Sequence, residues 1–138
     1  APAEIELADA WRRTIERDEL AQSLGSLAVL DARAPERYRG EVEPIDPLAG
    51  HIPSALSYPT AGNLTADARL RTPEELYERF ADVAAGNRRA VVYCGSGVNA
   101  CHNALAMCVS GLPDPLLYVG SFSDWSRSGM PVSTGDEP

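Results

Sequence analysis

Lysine is absent from this 138-residue chain: all twelve basic residues are arginine, a bias from which no function is drawn. Positive charge is scarce altogether. Twenty acidic residues outweigh the twelve arginines, giving a net charge of −8 and a pI near 4.7. That balance argues against nucleic acid or an anionic membrane as a partner, since both need a basic face. An anionic substrate must instead find a local positive pocket. Cysteine is limited to Cys94, Cys101 and Cys108. An odd number at even spacing is no disulfide framework and points to a reducing, cytoplasmic setting. It is no zinc site either. Helical residues seven apart stand about 10 Å apart along the axis, whereas zinc holds each thiolate about 2.3 Å away. No apolar run approaches the roughly 18 residues that mark a transmembrane helix. The opening Ala1-Pro2-Ala3-Glu4 lacks the basic and apolar regions of a secretory signal. It also lacks an initiating methionine, so a processed form or a fragment of a longer protein is expected.

What is present fits one domain with a real core. Ile5, Leu7, Trp11 and Ile15 give residues 1–17 a short apolar pattern, expected to form an arm packed on the domain. Asp18 is expected to cap a helix with Leu20, Ala21 and Leu24 on its inner face, stopping at Gly25. Leu27 to Asp31 is apolar without alternation, as in a strand covered on both faces of a parallel sheet. Pro35 to Arg39 reads as a helical turn, the acidic, proline-bearing stretch from Glu41 to Gly50 as a loop, and Ala55 to Ser57 as a second strand. Thr72-Pro73-Glu74-Glu75 is a capping box with proline at the first helical position, followed by Leu76, Phe80 and Val83 on one face. Ala90 to Tyr93 is the central strand. The following helix is expected to bury Ala100, Cys101, Ala104, Leu105 and Cys108, with the cysteines as small apolar fillers. Leu116 to Val119 reads as a last strand and Ser121 to Trp125 as a closing helix. These elements predict a three-layer α/β domain with a mainly parallel sheet, its active loop outside the carboxyl end of a strand.

That loop is Cys94-Gly95-Ser96-Gly97-Val98-Asn99, between the central strand and its helix. Amide N–H groups at a helix start lack intrahelical partners and favour an anion, here Cys94 as its nucleophilic thiolate. Gly95 and Gly97 let the backbone curl until those N–H groups face the sulfur.

The segment Cys94 to Ala106 (CGSGVNACHNALA) resembles the active-site loop and helix of rhodanese-fold sulfurtransferases, in particular their 3-mercaptopyruvate branch. The likeness includes Leu30 to Arg33, Glu36 to Gly40, Gly50-His51-Ile52-Pro53, Asn63-Leu64-Thr65, Thr72 to Leu76 and Gly120 to Trp125. It implies a rhodanese-like domain over residues 18–135, with 1–17 as an arm or linker remnant and 136–138 as a tail. It implies no metal and no cofactor. Sulfur would pass from 3-mercaptopyruvate or thiosulfate, through a Cys94 persulfide, to cyanide or an acceptor thiol such as thioredoxin. Arg37 matches the family's substrate arginine and is expected to grip the donor's negative group. The loop residues Gly95, Gly97, Val98 and Asn99 would cradle the sulfur, and Ser96 would move a proton. A second substrate arginine of some members has no counterpart in Glu43-Pro44-Ile45-Asp46-Pro47. Arg33 with Asp31, and His51, read as structural braces, and His102 as no catalytic base. The family's usual two-domain form implies a missing N-terminal rhodanese-like partner.

Two other readings compete. Phosphatase or arsenate reductase chemistry needs a longer loop and an arginine six residues after the cysteine, where this chain has Ala100. A rhodanese-like sulfur carrier or regulatory binding module, without turnover of its own, is compatible with the intact Cys94 loop.

Overall fold

The computed structural model describes residues 13–138, so Ile5, Leu7 and Trp11 lie outside the described residues. Four parallel strands form one sheet in the order β2-β1-β3-β4. They are β1 (Ala28–Asp31), β2 (Ala55–Ser57), β3 (Ala90–Tyr93) and β4 (Leu116–Leu117). All four residues of β1 and of β3 are buried, the mark of strands covered on both sides. Successive side chains point to opposite faces. Ala28, Leu30, Ala90 and Val92 therefore meet one set of helices: α3 (Pro73–Arg79), α4 (Ala81–Ala85) and α5 (Val98–Val109). Val29, Val91 and Tyr93 meet the other set: α1 (Arg17–Gln22), α2 (Pro35–Tyr38) and α6 (Ser121–Trp125). The result is the expected three-layer arrangement. Before α1, Thr14 pairs in parallel with Leu117, and Ile15 is buried on the second face.

Chain order reverses between β1 and β3. The chain leaves β1 toward β2 on one side and returns to β3 and β4 on the other, which opens a crevice at their carboxyl ends. Everything after Asp31 and everything after Tyr93 is delivered there.

The capping box forms as expected: Thr72 Oγ1 accepts from the Glu75 N–H, and the Glu75 carboxylate accepts from the Thr72 N–H. Caps of this kind contribute about 1 kcal/mol. Leu76, Phe80 and Val83 are buried together, although Phe80 (φ −100°, ψ 11°) divides the run into α3 and α4. Asp18 does not cap α1. Glu16 occupies that position without a side-chain bond, and Asp18 lies inside the first turn. Strand β4 stops at Leu117, and Val119 is exposed.

The face of α5 differs from expectation. Ala100, Asn103, Ala106 and Met107 point inward, whereas Cys101, Leu105 and Cys108 are exposed. The reason is Asn103. Its Oδ1 accepts from Asn63 Nδ2 (2.7 Å), and its Nδ2 donates to the Tyr58 carbonyl (2.8 Å). An amide hydrogen-bonded through both its oxygen and its nitrogen is a stable core group, and its burial rotates the helix away from the more apolar stripe.

Candidate functional site

Cys94 follows β3 directly and is 3% exposed. Its neighbours are pinned from α6. The Cys94 N–H donates to Ser121 Oγ (3.2 Å), the Phe122 N–H to the Cys94 carbonyl (2.9 Å), and the Ser123 N–H to the Gly95 carbonyl (2.9 Å). Gly97 then takes φ +84° and becomes the N-cap of α5. A left-handed turn at this point is where glycine carries no steric cost. Among the described hydrogen bonds, none is donated by the backbone N–H of Gly95, Ser96, Gly97, Val98 or Asn99. Loop amides at a helix start that have no acceptor among the described residues are available to an anion.

A cavity of about 430 Å³ opens over this loop. Cys94, Gly95, Ser96, Val98 and Asn99 form one wall, Arg33, Ala34 and Arg37 another, and Ile45 and Ser123 complete it. The structure thus brings Arg37, Cys94, Gly95, Ser96, Val98 and Asn99 to one hollow, at the crevice between β1 and β3. Gly97 does not line it. It is buried behind the loop, where an added Cβ would stand 2.9 Å from the Val119 carbonyl oxygen, so its part is to turn the chain.

Arg33 is a brace. Its Nε and Nη2 hold the Asp31 carboxylate, Nη2 also reaches the Gly50 carbonyl (2.6 Å), and its guanidinium lies 3.9 Å from the Phe122 ring centroid. Burial works against that charge, but the hydrogen bonds and charge of Asp31 prevail, and the Arg33 pKa ends above its ordinary value. Tyr93 donates to Asp31 Oδ2 (2.6 Å), the oxygen that Arg33 Nη2 also holds, and burial, reinforced by that carboxylate, pushes the phenol well above its usual range. His51 stacks on Tyr38 at 3.8 Å, with Nδ1 2.8 Å from the Tyr38 carbonyl and Nε2 3.1 Å from the Glu137 carbonyl, one of which accepts its N–H. His102 does not line the cavity; its Nδ1 accepts from Asn63 Nδ2 at 3.0 Å.

Arg37 arrives on α2, started by Pro35. It is not a free cation. Its Nη2 donates to Glu43 Oε1 (2.7 Å) and Asp46 Oδ2 (3.4 Å), and its Nε to Glu43 Oε2 (3.2 Å).

Residues 16–128 match the rhodanese-like domain. The chain belongs to that family. It is 52% identical over 113 residues to a probable 3-mercaptopyruvate sulfurtransferase of Pseudomonas aeruginosa, covering 80% of this chain and 40% of that one. With the human 3-mercaptopyruvate sulfurtransferase it shares 36% over 138 residues, covering 95% and 46%. The structure of the Leishmania major 3-mercaptopyruvate sulfurtransferase superposes with a TM-score of 0.70 at 31% identity, over 86% of this chain and 33% of that one. This chain therefore spans less than half the length of these relatives.

In this rhodanese-like domain the structure adds Glu43, Asp46 and Arg127 to the surroundings of Arg37, where the sequence shows only an acidic, proline-bearing loop. The available signal was the pair of acids at Glu43 and Asp46, set by two prolines in a loop that must fold back over α2. Arg127 gave none, because it meets Asp46 only through the tertiary fold. Among the described residues, no group of three or more His, Cys, Asp or Glu is placed to hold a metal, and no helix is long and apolar enough to cross a membrane.

Proposed function

We propose that this chain is the cysteine-bearing domain of a sulfurtransferase of the 3-mercaptopyruvate type. The observation that carries the reading is Cys94 at the floor of a cavity, with five amides of its own loop that have no acceptor among the described residues and Arg37 on the facing wall. The names of its relatives support the same chemistry. The Cys94 thiolate attacks the sulfur of 3-mercaptopyruvate and the carbon–sulfur bond breaks. The electron pair passes to carbon, which takes up the thiol proton and leaves as pyruvate, and Cys94 retains a persulfide. The exposed Ser96 hydroxyl at the cavity wall relays that proton. The loop amides hold the outer sulfur as an anion. A second thiolate, such as that of thioredoxin, or cyanide then attacks the outer sulfur and releases Cys94. Two displacements predict ping-pong kinetics.

The proposal includes an upstream rhodanese-like domain, supported by the 40% and 46% of its relatives that this chain spans. It also includes a cytoplasmic setting, because a persulfide carrier served by acceptor thiols needs a reducing compartment.

The test is to supply 3-mercaptopyruvate or thiosulfate with a dithiol acceptor, and to follow pyruvate and sulfite. Pyruvate release with parallel double-reciprocal lines supports the proposal. Its absence, or phosphate release from a phenyl phosphate, overturns it.

A further inference from the structure

Six charged side chains run in strict alternation from the sheet core to the surface beside the Cys94 cavity: Asp31, Arg33, Glu43, Arg37, Asp46 and Arg127. Each neighbouring pair is in contact. Arg33 holds Asp31 (2.6 Å) and reaches Glu43 (3.3 Å), Arg37 holds Glu43 (2.7 Å) and reaches Asp46 (3.4 Å), and Arg127 holds Asp46 (2.8 Å). The side chains of Glu43 and Asp46 are 4% and 0% exposed, so these are built contacts and not surface pairings.

Glu43 is the pivot. Oε1 accepts from the N–H groups of Ile45 (3.0 Å) and Asp46 (3.1 Å) as well as from Arg37, and Oε2 accepts from Arg33 and Arg37. With Nε and Nη2 of Arg37 occupied in this way, Nη1 is the edge left over. Nη1 is also the atom nearest the Gly95 side of the loop, 3.5 Å from where a Gly95 Cβ would stand. The guanidinium therefore offers one oriented donor edge to the cavity. Its charge, meanwhile, is matched: three carboxylates against three guanidiniums leave the cluster neutral.

We infer that Glu43 is a positioning residue that sets donor specificity by charge, turning the Nη1 edge of Arg37 toward the Cys94 loop while cancelling the excess positive charge that would attract a dianion. A donor with one carboxylate finds its hydrogen-bond partner in such a site. A dianion such as thiosulfate gains nothing from net charge. This rests on the proposed sulfurtransferase reading and on Arg37 as the cation of that site.

The experiment compares Cys94 persulfide formation from 3-mercaptopyruvate and from thiosulfate in the 138-residue chain and in its Glu43→Gln, Glu43→Asp and Arg37→Met variants. Glu43→Gln raises the thiosulfate-to-mercaptopyruvate rate ratio by roughly ten-fold, the size expected from removing one charge several ångströms from the anion in a half-wet site. The change falls mainly on half-saturation by thiosulfate, and Glu43→Asp keeps the wild-type ratio. A ratio within two-fold of wild type in Glu43→Gln, while Arg37→Met weakens mercaptopyruvate, overturns the inference and leaves the sulfurtransferase reading standing. No effect of Arg37→Met overturns both the inference and the role of Arg37. An independent measurement needs no variant. Rates of Cys94 alkylation by the monoanion iodoacetate and the dianion bromosuccinate are each divided by the rate with free cysteine. A larger enhancement for the monoanion supports the inference, and a larger one for the dianion overturns it.

Discussion

A Cβ on Gly97 would stand 2.9 Å from the carbonyl oxygen of Val119, so the loop that carries Cys94 and the segment entering α6 touch backbone to backbone. That contact, with φ +84°, leaves no room for any residue but glycine. Gly97→Ala is expected to cost about 1–3 kcal/mol of strain and to move the loop amides off the sulfur. Urea unfolding and the rate of Cys94 persulfide formation both report it. Unchanged values for both would mean that the loop relaxes without loss.

Asn103 is the polar centre of the helix that follows. Truncation to alanine removes the donor to the Tyr58 carbonyl and leaves Asn63 Nδ2 with His102 alone, and an unsatisfied buried group costs about 1–3 kcal/mol. Asn103→Ala should lower the urea midpoint accordingly. An apolar replacement such as Asn103→Leu should be no better, since Asn63 is itself buried.

Asn103 also explains where reading the sequence succeeds and where it stops. Strands β1 and β3 and helix α3 are legible because each carries its signal locally, in an unbroken apolar run or in the Thr72–Glu75 box. The Cys94 loop is legible for the same reason: thiol, glycines and helix start are adjacent in the chain. The buried face of α5 is not, because cysteine and leucine outrank asparagine on any hydrophobicity scale, and only tertiary partners from residues 58 and 63 reverse the order. Arg37 could be picked out, but not its setting. Glu43 lies six residues on and Asp46 nine, in a loop with no periodicity, and Arg127 is 81 residues from Asp46.

The carboxyl of Glu43 supplies a pH signature. Burial by itself would raise its pKa; the Arg37 hydrogen bond, the amides of Ile45 and Asp46 and the Arg37 charge outweigh burial and leave it below the ordinary value of 4.5. The unfolded chain thus binds the proton more readily, and stability rises with pH through this window. The contribution is complete above about pH 4.5 and is lost as pH falls through the lower, folded-state value. Urea midpoints between pH 3 and 6 should fall less steeply with acid in Glu43→Gln than in wild type. Equal slopes would contradict the assignment.

Both outer cysteines of α5 are exposed, yet Cys108 alone has a carboxylate partner. Cys108 Sγ donates to Asp114 Oδ1 at 2.8 Å, and partial burial, followed by that bond and the negative charge of Asp114, raises the thiol above its usual value. Thiolate is the reactive form. At neutral pH, iodoacetamide should label Cys101 faster than Cys108, and Asp114→Asn should speed Cys108 alone. Peptide mapping after timed quenching reads both rates. Equal labelling in wild type would contradict the argument.

The central claim is that Cys94 carries the sulfur. Its most direct test is the mass of the chain after brief exposure to one equivalent of 3-mercaptopyruvate without acceptor. The account predicts one added sulfur atom, located on the peptide containing Cys94, removed by a dithiol and absent from Cys94→Ser. An unmodified Cys94, or sulfur found only on Cys101 or Cys108, would contradict it.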